Sequence, residues 1–152
     1  MIDCTFDLNG KRLSELKCGA YSFPAFSGLG HHANRKELAC LAGAGPIPPG
    51  EYFIVDRQSG GLLGPLRDLL SGHGEWFALY AADGKVDDET FCQKVRRGQF
   101  RLHPKGAAGI SQGCVTLELQ TDYRKLRALL KSQPPETVAG TPLKAYGKVV
   151  VK

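Results

Sequence analysis

No stretch of this chain is apolar for the roughly 20 residues that a membrane-spanning helix needs. Its opening, Met1-Ile2-Asp3-Cys4, turns polar at once, without the basic and apolar regions of a secretory leader. No membrane insertion is therefore expected, and the chain is expected to be made in a cytoplasm. The five cysteines, at 4, 18, 40, 92 and 114, fit no zinc-binding spacing. His31-His32 with Cys40 comes nearest to a ligand set, but adjacent histidines in a Gly-rich segment read as surface. Gly28-Leu29-Gly30 lacks the surroundings of a dinucleotide loop. No metal and no cofactor is expected. The net charge of +5 is spread out, clustering only at Arg96-Arg97 and around Arg124, Lys125 and Arg127. With no recognisable nucleic-acid module, no nucleic-acid partner is expected.

What the chain does have is turn formers: 19 glycines and 9 prolines in 152 residues. They suggest short strands joined by frequent turns and few long helices. Residues 2–8 alternate as a strand, and Asn9-Gly10 is a hairpin turn signal. Residues 11–18 read as the returning strand or a short helix, and 21–45 as loop with a short helix within 34–42. The prolines of 45–50 set an extended approach to a strand at 51–55. A short helix is expected over 62–70, a strand over 76–81 with a turn at Asp83-Gly84, and further strands over 99–103, 114–120 and 147–151. Thr121 suits the N-cap of a helix running to about 132, with Tyr123, Leu126, Leu129 and Leu130 as its apolar stripe. Without a linker or repeat, the length fits one domain. The expected fold is a mainly β single domain with a few short helices.

The segment that carries chemistry is Phe100-Arg101-Leu102-His103-Pro104 followed by Ser111-Gln112-Gly113-Cys114-Val115. If the strand ending at His103 and the strand beginning at Cys114 are antiparallel neighbours, opposed residues lie roughly 4.5–5.5 Å apart at Cα. Leu102, Val115 and Leu117 then enter the core while His103 and Cys114 share the other face. A nearby imidazole can take the thiol proton and so create a nucleophile. Gly113 leaves room for substrate backbone, and the N–H groups of Gly113 and Cys114 can hold an oxyanion. Ser111 can support that turn or contact substrate. Arg101 and Lys105 are placed to meet substrate carboxylates, and Tyr21 and Ser27, ahead of the proline segment, to line a cleft. A further group orienting His103 is expected but not identifiable. Of the five cysteines, one must stay outside any intrachain pair; the others are buried thiols or up to two disulfides of open connectivity. Cys92, after acidic residues 87–89, reads as structural.

Ser111-Gln112-Gly113-Cys114-Val115 resembles the Ser/Thr-His-Gly-Cys-apolar signature of L,D-transpeptidase catalytic domains. His103 matches that family's upstream base, and Gly45-Pro46-Ile47-Pro48-Pro49-Gly50-Glu51-Tyr52 is similar to its Thr-Pro-x-Gly-x-Tyr/Phe segment. The resemblance is strongest over 45–120 and implies an L,D-transpeptidase-like β-sandwich or barrel. Gln112 replaces the signature's second histidine, and the loop after His103 is short. Both features resemble a divergent branch of antibacterial effectors delivered by type VI secretion. That resemblance implies Cys114 as nucleophile, His103 as base, Gly113 and Ser111 in the catalytic turn, and Gln112 at the substrate. It also implies a peptidoglycan stem peptide as substrate, loss or exchange of its terminal D-alanine, secretion machinery and a cognate immunity protein as partners, and action in the periplasm of a target cell. Two other readings stay open. One is a non-catalytic wall-binding or partner-binding domain, which Gln112 favours. The other is a papain-like peptidase, which the order of His before Cys disfavours.

Overall fold

The computed structural model describes residues 1–57, 75–106 and 112–152. Eleven strands are described: β1 Ile2–Phe6, β2 Ser14–Cys18, β3 Tyr21–Phe26, β4 Gly50–Asp56, β5 Phe77–Ala81, β6 Glu89–Cys92, β7 Val95–Gly98, β8 Arg101–Pro104, β9 Val115–Leu117, β10 Glu136–Thr137 and β11 Lys144–Val151. The one α-helix among the described residues is α1, Gln120–Leu130. The helix expected over 62–70 lies outside the described residues.

Eight strands close into a barrel in the order β1-β2-β3-β9-β8-β5-β4-β11, with β11 pairing parallel to β1. Closure follows from alternation. β2 and β11 bury every second residue, so one face of each is apolar and must be covered. Bending the sheet onto itself covers all those faces at once and removes its open edges. The interior holds Phe6, Leu16, Ile54, Phe77, Leu79, Leu102, Val115 and Leu117, each at most 1% exposed. Helix α1 adds Tyr123, Leu126 and Leu130 to this core. At the closing seam a side chain on Gly147 would come within 2.6 Å of the Ile2 carbonyl oxygen, so only glycine lets β1 and β11 approach.

Several expectations are corrected. Residues 21–26 form a strand, because Phe23 and Ala25 face the core while Ser22 and Pro24 face out. Pro24 still accepts the Glu118 N–H. Residues 34–42 make only a 3-10 turn, Lys36–Leu38. Residues 11–18 resolve as strand, and α1 starts at Gln120 with no side-chain cap, so Thr121 is inside it. Leu119, at the N-cap position of α1, is 51% exposed. The β6–β7 hairpin was not anticipated. Its turn uses Gln93 and Lys94 at positive φ (48° and 69°), where the usual signal is Asn-Gly.

Two disulfides form. Cys4–Cys18 joins directly opposed residues of β1 and β2. Cys40–Cys92 ties the segment after β3 to the β6–β7 hairpin. Cys114 is the cysteine outside both. Cys40 is thus not available to a metal alongside His31 and His32. No described helix is long and apolar enough to cross a membrane.

Candidate active site

The expected pair of neighbouring strands exists, but it is parallel: Leu102 is level with Val115, His103 with Thr116 and Pro104 with Leu117. Parallel neighbours cannot be joined as a hairpin, so the expected hairpin is not formed. The apolar residues still enter the core. Arg101 and His103 share the outer face with Cys114 and Thr116, since side chains alternate along each strand. His103 is therefore a diagonal neighbour of Cys114, about 8 Å away at Cα, within reach of an imidazole and a thiol.

Three contacts fix the imidazole. Nδ1 of His103 lies 2.8 Å from the carbonyl oxygen of Pro104. A carbonyl only accepts, so Nδ1 carries the proton and Nε2 is left as the acceptor. The ring stacks on Trp76, with centroids 4.2 Å apart and planes 18° from parallel. Thr116 Oγ1, fully buried, sits 3.4 Å from Nε2 and steers that nitrogen towards β9. The orienting group that the sequence does not reveal is thus a backbone carbonyl next door in the chain, backed by the chain's one tryptophan.

Burial raises the Cys114 thiol above its ordinary value; the Arg101 backbone N–H and guanidinium pull it back, and Asp88 adds to the rise. A thiol raised in this way keeps its proton near neutrality and would need a base to become a nucleophile. Arg101 does not reach for solvent. Its guanidinium donates to both Asp88 carboxylate oxygens, at 2.8 and 2.7 Å, and to the Phe100 carbonyl. It lies beside the thiol, already paired.

The turn before Cys114 is braced from below. Gly113 has φ +95°, and a Cβ there would lie 2.6 Å from Arg97 Nη2 and 2.9 Å from the Phe100 ring. Arg97 is 5% exposed and donates to the carbonyls of Ala39, Gly45 (3.1 Å) and Pro46 (3.2 Å). Its neighbour Arg96 points out to Glu89. The basic dipeptide therefore splits across the strand, one residue as surface and one as brace. Neither Arg97, Asp88, Thr116 nor Trp76 stood out as a site residue in the sequence, since none belongs to a motif.

The remaining candidates disperse. Gln112 is exposed at the turn, and Ser111 lies outside the described residues. Ser27 is fully buried, and its hydroxyl accepts the Ile47 N–H, so it shapes the loop instead of lining a cleft. Tyr21 sits at the far end of β3, ~16 Å from the end that meets β9. Lys105 is exposed and donates to Glu118 at 3.2 Å.

Fold and site together define a class: a closed β-barrel whose one cysteine outside the disulfides shares a face with an anchored imidazole. The chain belongs to the Tlde1 domain family, a family of type VI secretion effectors, whose model matches residues 21–141. That span takes in Cys114, His103, Trp76, Arg97 and the Cys40–Cys92 disulfide. No curated protein and no solved structure matches the chain.

Proposed function

We propose that this effector is a cysteine-dependent L,D-carboxypeptidase and L,D-transpeptidase acting on peptidoglycan tetrapeptide stems. The observation that carries the reading is His103: its Nδ1 is tied to Pro104 and its ring to Trp76, which leaves Nε2 on the face it shares with Cys114. An imidazole held so, beside the cysteine outside both disulfides, suits general-base activation of a thiol.

Nε2 of His103 takes the thiol proton as the Cys114 sulfur attacks the carbonyl of the L-centre of meso-diaminopimelate. Backbone N–H groups of Gly113 and Cys114 hold the oxyanion. The C–N bond to D-alanine breaks, the imidazolium returns its proton to the leaving amine, and a thioester remains. Water then releases a tripeptide stem, or the amine of another D-amino acid takes the place of D-alanine. The setting is the periplasm of a target cell, reached through the secretion machinery, with a cognate immunity protein protecting the producer.

The raised Cys114 thiol is the observation on the side of a non-catalytic wall-binding domain. One experiment separates the two. The protein is incubated with a disaccharide-tetrapeptide, with and without D-methionine, and product masses are read. Loss of D-alanine, or its exchange for D-methionine, is expected for the wild type and not for Cys114→Ala. An unchanged substrate mass with the wild type overturns the enzymatic reading.

A further inference from the structure

Beside the Cys114–His103 face lies a cleft of about 480 Å³. Its floor is the continuation of the same strands: Phe26, which pairs with Thr116, and Lys105 and Glu118, which lie two residues beyond His103 and Thr116 on the outer face. One wall is the β1–β2 turn with Lys11 and Arg12. The other is the loop from Gly28 to Ala33.

A single residue holds the two walls apart at a set width. Asn34 is fully buried and left-handed, with φ 58°. Its side-chain amide donates to the Lys11 carbonyl at 2.8 Å, and its side-chain oxygen accepts the Ser27 N–H at 2.9 Å. Its own N–H donates to the Ser27 carbonyl, and its carbonyl accepts from Gly10. A cleft stapled this way is formed before any ligand arrives.

The cleft is basic. Lys11, Arg12 and Lys105 face one carboxylate, Glu118, which bonds Lys105 at 3.2 Å and touches Arg12 loosely at 3.8 Å. Among the described residues the other Glu118 oxygen, Oε2, is buried and accepts no hydrogen bond. Arg12 is 75% exposed, so its pairing with Glu118 contributes little and is cheaply exchanged. Arg12 and Lys105 thus offer an incoming carboxylate donors beyond those that Glu118 takes up.

Resting on the reading of Cys114 as nucleophile, we infer that this cleft is the subsite for the stem's second residue and recognises its free α-carboxylate through Arg12 and Lys105. In a stem, the γ-linked D-glutamate carries that carboxylate about 9 Å from the diaminopimelate carbonyl when extended. From Cys114 to the level of Glu118 is about 13 Å along β9, and the side chains of Lys105 and Arg12 close the difference. Stems whose D-glutamate is amidated offer a neutral amide there and lose the contact.

The test separates recognition from chemistry. Cys114→Ala protein, with the cleft intact, is titrated with tetrapeptide stems bearing either D-isoglutamate or D-isoglutamine. Turnover of the same two stems is followed with Cys114 present. About tenfold tighter binding of the carboxylate stem is expected, and Arg12→Gln with Lys105→Gln should abolish that preference. Both substitutions are on exposed side chains, and an unchanged thermal midpoint verifies the fold. Equal affinity for both stems, or a preference that survives the double substitution, overturns the subsite. Selective binding without turnover keeps the subsite and overturns the enzymatic reading. Turnover without selectivity does the reverse, and no binding with no turnover overturns both.

Discussion

Replacing Gly113 with alanine tests whether the turn before Cys114 is built on Arg97. Two costs are expected. The left-handed backbone (φ +95°) disfavours any side chain by about 1–2 kcal/mol. The new methyl would also sit 2.6 Å from Arg97 Nη2 and 2.9 Å from Phe100, both tighter than contact allows. Relief requires the guanidinium to shift, yet it is bonded to three backbone carbonyls, and weakening one such charge-assisted bond costs about 1.5–3 kcal/mol. The expected total is about 3 kcal/mol, a drop in melting temperature of roughly 6–12 °C for a chain of this size. Thermal unfolding of Gly113→Ala, Arg97→Met and the double variant gives the decisive quantity. With Arg97 gone, the steric part should largely vanish and the backbone part remain. The two substitutions should therefore be non-additive by about 1 kcal/mol or more. Additivity within about 0.5 kcal/mol would refute the idea that Arg97 and Gly113 form one brace.

Three further outcomes are expected. Alkylation of Cys114 by iodoacetamide should rise with pH through a midpoint above the ordinary thiol value of about 8.5, because burial raises it. By the same linkage, the thiol's contribution to stability is present below about 8.5 and is lost as pH climbs through the raised value. That alkaline loss should be missing in Cys114→Ala unfolding curves. Removing the Cys40–Cys92 disulfide by double serine substitution should cost about 4 kcal/mol, against about 3 kcal/mol for Cys4–Cys18, since the loops closed are 52 and 14 residues; denaturant midpoints in equal order would count against this. Finally, the sole tryptophan stacks on His103, so its emission should change when the ring is removed in His103→Gln. An unchanged emission spectrum in that variant would count against the stacking.

Strands were legible where alternation was clean, as in 2–6 and 147–151, because period-two burial leaves its mark directly on residue choice, while 77–81, buried throughout, was legible as a short apolar run. Residues 21–26 hid behind Pro24, and the β6–β7 turn hid because Gln93-Lys94 carries no turn signature. The sharing of one outer face by His103 and Cys114 was legible from the same alternation. The direction of their strands was not, since pairing sense depends on partners distant in sequence. Thr116, Asp88 and Arg97 act through contacts 13 to 58 residues away, and no local pattern encodes such contacts. The disulfide pairs were likewise a matter of which strands meet.

The seam between β1 and β11 also sets an order of events in biosynthesis. Residues 2–6 leave the ribosome well before their parallel partners, 147–151, which follow only after the rest of the barrel has been made. Until then β1 and β4 each present an open edge, because the strand that pairs with both does not yet exist. Hairpin partners such as β1–β2 can form early, but the ring cannot shut during elongation, and loop closure over such a separation is slow. A nascent chain held in this state is an unclosed sheet with an apolar inner face. Anything that binds it in the producing cell would meet exposed strand edges before it met a finished barrel.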